Sequence, residues 1–430
     1  MSNADLSCII EKVTSHFCYI HITVSAAHVD ALYDLTCQTQ QTQINTYGFA
    51  QGQTPLLYVE EHYHAHIINY VTSFLFNYFV VNFLYNQIHA QHLATSGDPR
   101  LIKVEVKSHH DALFVFETSL TTPIEFREWK NFLFKAPKRK NYKDIDRQVD
   151  TFIHEEHEKE KKSSDTIVPG DWVRLDITAL DAHQKPLYHE YTKKAWLKIG
   201  SEEADAHFQE LLVGRKKDDQ FITNATCVQH YLSDILDTNQ AFALTIRDRM
   251  PCQYVCFDVF KGYFKLKTQK EVHQKMTEVF SFRNDISLRR HMIEEAFKLM
   301  ISKHLIEITP HLTLRKQQEI LEALQENPDY QIYKLEGNFK EFVRNLAVKQ
   351  VKETLLIDQL IHREGISASD ADVKGYLNLY KRPRTKEFIY FQPPTTKIDG
   401  QELPIPNALL EKVCAREKAL NYLIYHLTRK

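Results

Sequence analysis

Between Glu61 and Asp98 the chain carries no Asp, Glu, Lys or Arg, and residues 67–88 read IINYVTSFLFNYFVVNFLYNQI. A stretch this apolar has to be covered, and its length reaches the roughly 20 residues that span a bilayer. Asn69, Asn77, Asn82 and Asn86 interrupt it, however, and no basic flank sets an orientation. It therefore reads as a helix buried against protein or facing a partner, with no membrane expected. Whatever the chain folds into must supply that cover.

A length of 430 residues exceeds one ordinary hydrophobic core, so more than one module is expected. With 43% hydrophobic and 26% charged residues the composition is that of a soluble globular protein, and 11 glycines favour helix-rich architecture over a turn-rich all-β one. The first hundred residues set Lys12 and Arg100 against Asp5, Glu11, Asp30, Asp34, Glu60, Glu61 and Asp98, so this end is acidic although the net formal charge is −2. No DNA partner is expected. Seven cysteines at scattered spacings give neither a disulfide framework nor a zinc knuckle, and no secretory leader pattern opens the chain, which points to a reducing cytoplasm.

Residues 17–24 (FCYIHITV) alternate like a strand, and Ser25 stands where it could cap a following helix. Gly48 and Gly52 bracket a short loop with Phe49 at its tip, and Pro55 suits the start of the next helix. Strand-like segments at 101–107 and 113–120, with His109, His110 and Asp111 as the turn, make the first module α+β. Residues 123–142 are extended and aromatic and end in the basic run 135–140. A helix over 144–162 is polar in its far half, which marks an exposed arm or spacer. Short strands follow from about 168 to 264. Beyond 270 the apolar period is 3.6, as in Leu288, Met292, Ile293, Ala296 and Phe297, and the segments 312–326, 338–363, 369–380 and 407–427 behave likewise.

The candidate chemistry is sparse. His62, His64 and His66 include an i, i+4 pair able to chelate one ion, but with 22 histidines in the chain they read as chance clustering. His154-Glu-Glu-His157 lacks the HExxH spacing and lies in a charged run. No metal, no cofactor and no nucleotide loop of the GxxxxGK type is expected.

The run Gly48-Phe49-Ala50-Gln51-Gly52-Gln53, followed by Pro55, resembles the ribosome-docking signature of the trigger factor family, Gly-Phe-Arg-x-Gly-Lys then Pro. The shape residues match, while Ala50 and Gln53 replace the two cations. The resemblance extends through the Val59-Glu60-Glu61-His62-Tyr63 run, an FKBP-like pattern from Gly170-Asp171 to Phe242, and C-terminal helices similar to the cradle of trigger factor and of periplasmic SurA chaperones.

This resemblance implies an α+β multidomain fold: a ribosome-docking module over 1–122, a connector strand and helix over 123–165 packing on the C-terminal body, an FKBP-like module over 166–264, and an all-α chaperone body over 265–430. It implies ATP-independent holding of nascent or unfolded polypeptides in the cytoplasm, with ribosome contact weakened or lost. An isomerase pocket would use Tyr188, Phe208, Tyr231 and Phe242, with Asp205 standing where an apolar floor residue is expected and Ala195 in place of an aromatic. Such a pocket would be eroded, and peptidyl-prolyl isomerase activity stays open beside a purely structural role. Client contacts would fall on Leu314, Ile320, Leu324, Phe388, Tyr390 and Phe391, the last three being either cradle lining or simple packing. The helical body with its connector is expected to act without the middle module. A third reading is a ribosome-independent assembly or self-association protein, a homodimer through its N-terminal module with the 67–88 helix as contact surface.

Overall fold

A computed structural model describes residues 5–429, apart from 92, 94, 122, 139–143, 189–190, 234–239, 284–285, 326, 336, 381, 394–396 and 399. Arg139 and Lys140 of the basic run, and Pro394, lie outside the described residues.

In the first module, β1 (Leu6–Lys12), β2 (Phe17–Val24), β3 (Thr95–Glu105) and β4 (Ala112–Leu120) form an antiparallel sheet in the order β1-β2-β4-β3. Alternation in β2 buries Cys18, Ile20, Ile22 and Val24 completely. Alternation marks 17–24 as the first strand of the module, whereas β1 precedes it and pairs Leu6 with Val24. As an edge strand with Ile9 66% exposed, β1 lacks the clean alternation that would have announced it. Ser25 stands at the N-cap of α1 (Ala26–Gln43), but its hydroxyl pairs with His28 Nδ1 at 3.1 Å and leaves the helix backbone uncapped by its side chain. The apolar stretch is one long helical run: α2 (Leu56–Leu75), a π turn (Phe76–Val80) and α3 (Val81–Ala90).

After β4 the chain crosses to the C-terminal body. Trp129 is buried there among Ile124, Phe126, Phe132 and Phe134 and helices of the body, and Lys130 donates to Glu364 at 2.6 Å and to the Tyr422 hydroxyl at 2.9 Å. Helix α4 (Ile145–Lys162) is less exposed than its charge run suggested. Ile145, Val149 and Ile153 pack on the body, and buried Glu156 accepts the Val255 N–H at 2.6 Å.

The middle module holds β5 (Trp172–Ala179), β6 (Lys193–Lys198), α5 (Ala206–Leu212), β7 (Gln220–Thr223), α6 (Thr226–Leu232) and β8 (Phe242–Met250). The body then runs through α7 (Phe257–Phe264), α8 (Gln269–Phe280), the short strands β9 (Phe282–Arg283) and β10 (Ile286–Ser287), α9 (Leu288–Lys303), α10 (Pro310–Gln325), α11 (Tyr330–Lys334), α12 (Phe339–Glu364) and α13 (Asp370–Leu379). Gly365 ends α12 with a φ of 63°, a left-handed C-cap, and Ser369 caps α13 in a box with Asp372. A hairpin of β11 (Lys397–Ile398) and β12 (Gln401–Glu402), then β13 (Ile405–Pro406), lead into α14 (Asn407–Thr428).

The middle module is not a detachable bead. β13 pairs with β6 and completes a five-stranded sheet in the order β13-β6-β5-β8-β7. Trp172, Trp196 and Met250 share a core with Phe260, Phe388, Ile405 and Leu410 of the body. Removing the middle module would strip cover from both neighbours, so the helical body is not structurally separate from it.

Asp205 belongs to the same weld. Its carboxylate accepts the Glu402 N–H at 2.8 Å and the Glu202 N–H at 3.3 Å, so it ties the module to the β11–β12 hairpin and is no floor residue of a pocket. The carboxylate lies against Gly200, where an added Cβ would meet Oδ2 at 1.7 Å. Ala195 is a buried member of β6 opposite Pro406. Buried N–H groups left without an acceptor cost about 1 to 3 kcal/mol each. Asp205→Ala should lower stability by about that amount in urea titration of the full chain, and an unchanged midpoint would show that these amides find other partners.

Candidate functional site: loop, cup and cleft

The loop between α1 and α2 is two consecutive turns. The Phe49 N–H donates to the Thr46 carbonyl at 3.1 Å and the Gln53 N–H to the Ala50 carbonyl at 2.9 Å. In each turn the third residue is glycine, Gly48 at φ 89° and Gly52 at φ 77°, the positive φ that a type II turn demands there. Thr54 is fully buried, and its hydroxyl reaches Thr46 at 3.2 Å to close the base. The tip is therefore held by backbone geometry. It presents Tyr47, fully exposed, with Phe49, Ala50, Gln51 and Gln53, and Leu57 beside it is 72% exposed. No cation stands in the 46–57 segment. Of the nearby histidines, His62 stacks on Tyr58 at 3.8 Å and His64 pairs with the Tyr33 hydroxyl at 3.2 Å.

The aromatic residues expected to line an isomerase pocket are brought together: Tyr188, Phe208 and Phe242 are buried, Tyr231 is half-buried, and all pack in one cluster. That cluster is already filled by the apolar helix. Phe74 stacks 6.4 Å from Phe242, Tyr78 lies 5.8 Å from Tyr188, and Phe79 lies 4.8 Å from Tyr188 and 4.4 Å from Tyr191. The Tyr78 hydroxyl accepts the Ala179 N–H at 3.2 Å and sits within 3.3 Å of the Ile177 and Tyr191 carbonyls, to one of which it donates. Tyr191 donates to the Tyr78 carbonyl at 2.8 Å, Lys193 Nζ donates to the Asn77 carbonyl, and the Asn77 amide donates to the Leu232 carbonyl at 2.9 Å. Further contacts run from Tyr70 to Gln240 at 2.8 Å and from Tyr188 to the His28 carbonyl at 3.1 Å. The helix is long and apolar enough to cross a membrane by composition, but its apolar side chains are spent on this contact.

Lys193 is the one feature of the cup that sequence reading missed. It sits in β6 between polar neighbours, and nothing in the sequence marks it as interior. Burial among aromatic rings pulls its ammonium pKa down to about 7, and the ring of Tyr231 lies 5.1 Å away.

A cleft of about 910 Å³ opens between α10, α12, α14 and the β3 end of the first module. Tyr390 and Phe391 line it, with Leu312, Val351 and Leu355 as further apolar wall. Glu417, fully buried below them, accepts the Tyr390 and Phe391 N–H groups, and the Tyr390 hydroxyl donates to Glu353 at 2.6 Å. At the mouth, Asp98 of the first module meets Lys412 at 3.4 Å and Arg315 donates to the Asp98 carbonyl at 3.0 Å. Burial pushes the Asp98 carboxyl up, and Lys412, Arg416 and Arg315 outweigh it and hold the carboxyl below its ordinary range.

The other expected client residues separate. Phe388 is buried against Phe260 and Phe264, so for it packing is the reading the structure favours over lining. Ile320, with Leu324 packed beside it, forms a small core with Val343 and Ala347 inside the arm made by α10 and α12. Leu314 is 64% exposed. The arm also exposes Ile332, Leu335 and Phe342, the first two lying between the segments 312–326 and 338–363 that the sequence marks as helical.

The family described as bacterial trigger factor protein, in its N-terminal part, matches residues 7–154. The trigger factor of Geobacter metallireducens is 22% identical over 397 residues, which cover 88% of this chain and 89% of that protein. The trigger factor of Clostridium botulinum is 20% identical over 385 residues, covering 85% and 87%. A solved structure of the trigger factor chaperone, from work on promiscuous substrate recognition in folding and assembly, aligns at 14% identity and a TM-score of 0.37 over 97% of this chain and all of that one. A loop-bearing α+β module at one end, a β-rich middle module and a helical body make this an α+β multidomain protein. Residues 7–154 match the trigger factor family model, and the chain is similar along most of its length to these two trigger factors.

The depressed pKa of Lys193 has a measurable consequence. Between about pH 7 and the ordinary lysine value near 10.4, the unfolded chain binds this proton more tightly than the folded one, so stability from this group rises with pH across that window and is flat below it. Lys193→Met should raise the urea midpoint at pH 7, and its advantage over the unaltered protein should shrink by pH 9.5. An advantage that stays constant would mean that the lysine is not held neutral.

Proposed function

We propose that the protein is an ATP-independent cytoplasmic chaperone that holds nascent or unfolded polypeptides on the arm and in the cleft beside it. In this reading residues 1–122 dock, 123–165 connect, 166–264 form an FKBP-like module and 265–430 form the holding body. The observation that carries it is the arm: Leu314, Ile332, Leu335 and Phe342 are 64%, 64%, 86% and 59% exposed on an element bordering a cleft lined by both charged and apolar side chains. Exposed apolar side chains gathered on one projecting element mark a surface for another chain. Burial of apolar area is non-directional and little screened by salt, so clients of many sequences fit. The self-association reading uses the 67–88 helix as its contact surface, and that helix is covered within the chain by the first sheet, the middle module and α14.

Leu335→Glu with Phe342→Glu should reduce suppression of aggregation of a denatured client several-fold, in low and high salt alike, with an unchanged urea midpoint because both side chains are exposed. Unchanged suppression would place the client surface elsewhere.

Ribosome contact in this reading is weak, since the loop keeps its shape without its cations. Hydrogen bonds to charged groups contribute about 1.5 to 3 kcal/mol each. Ala50→Arg with Gln53→Lys should tighten co-sedimentation with ribosomes and steepen its dependence on salt. Tight binding by the unaltered protein that the double change leaves untouched would rule this out.

A further inference from the structure

At the mouth of the cleft, charges from two modules meet. Asp98 stands in the edge strand β3 of the first module, where its carboxylate accepts from the Tyr85 hydroxyl at 3.2 Å and lies 3.4 Å from Lys412 Nζ of α14. Lys412 is only 23% exposed, and a partly buried ammonium needs an anion. Nearby acids of the body are engaged elsewhere: Asp358 grips Arg416 through two bonds of 2.7 Å, and Glu411 accepts from Asn407 at 2.8 Å. Arg416 and Arg315 add positive potential at Asp98. The other contacts of this end of the first sheet with the body are polar as well, Arg315 to the Asp98 carbonyl at 3.0 Å and Ser119 with His311 at 2.9 Å. Asp98 is walled by these groups yet 61% exposed to water, so its pair with Lys412 is weak and open to exchange with a carboxylate from outside. Behind it the cleft continues along Leu312, Val351, Leu355 and Phe391. A carboxylate seated at the mouth would leave the flanking residues of its own chain against apolar side chains, which suits a polypeptide segment better than a small anion.

We propose that Lys412, Arg315 and Arg416 form a carboxylate seat at the mouth of the cleft, that Asp98 fills it as a latch between the first module and the body, and that an acidic segment of a client displaces Asp98 to enter. That the competitor is a client rests on the holding function proposed above. A tethered carboxylate acts at an effective concentration on the order of millimolar, so the latch lowers the affinity of every acidic competitor without abolishing it. Entry through the seat is screened by salt, whereas apolar contact with the arm is not.

The test uses the full chain and a rhodamine-labelled peptide of Glu-Ala-Tyr repeats, with the same peptide carrying Gln for every Glu as its control. Asp98→Asn keeps the size of the side chain and removes its charge. Fluorescence anisotropy at low salt should show this variant binding the acidic peptide roughly threefold to tenfold tighter than the unaltered protein. Asp258→Asn, which removes the same charge from a 91% exposed side chain on α7, should change nothing. Adding Lys412→Gln to Asp98→Asn should abolish the gain, and Arg315→Gln, at a side chain 48% exposed, should reduce it and covers the case in which Lys412→Gln fails to fold. Equal binding by the unaltered protein and Asp98→Asn, an equal gain for the Gln peptide, a gain that survives the seat variants or high salt, or a larger gain for a short single-stranded RNA would overturn the proposal. Aggregation suppression measured on the same samples separates the two readings: intact suppression with no gain in peptide binding removes the seat alone, and a gain without suppression counts against the holding function.

Discussion

The rest of the structure depends on how the helix from Leu56 to Ala90 is covered. Its apolar side chains cannot all be buried by the four-stranded sheet of its own module, because one helix face is enough to cover that sheet. The opposite face turns to the middle module, where Tyr70, Phe74, Tyr78 and Phe79 meet a cluster of like aromatics. Several polar atoms that would be costly to bury are matched, Tyr78 to strand β5, Asn77 to α6, and Tyr191 and Lys193 to the π turn. Two modules thereby share one hydrophobic core.

The second weld is made from backbone and carboxylate. β13 lends a strand to the middle sheet, and Asp205 gathers amides from two segments far apart in sequence. Trp172 and Trp196 fill the space below, so that the middle sheet is covered on one face by the first module and on the other by the helical body. The arm joins the core of the body only at its base, through Leu312 of α10 and Leu355 and Leu356 of α12. Its own small cluster of Ile320, Val343 and Ala347 keeps α10 and α12 together while apolar residues at its tip remain in water.

The loop between α1 and α2 separates shape from charge. Two glycines at positive φ and a buried threonine fix the tip without help from any side chain that could bind a partner. Residues 50 and 53 can therefore change from cation to Ala and Gln with the turn geometry intact. Affinity for a phosphate-rich partner and the form of the loop are independent properties here.

Much of this was legible from the residues alone. Alternation gave β2 and β4, the 3.6 period gave α9, α12 and α14, Gly365 and Ser369 marked the break between α12 and α13, and the spacing of Gly48 and Gly52 located the loop. These are local signals, set within a few residues by sterics and periodicity. The sequence likewise determined that residues 67–88 needed cover. What covered them was decided by tertiary structure, because burial is non-directional and any apolar surface of the right shape would serve. The same holds for Lys193 and Asp205, whose roles depend on a carbonyl 116 positions away and an amide 197 positions away. A lysine in a strand and an aspartate at a helix start look ordinary in sequence, and only the folded chain shows that one is buried among rings and the other joins two modules.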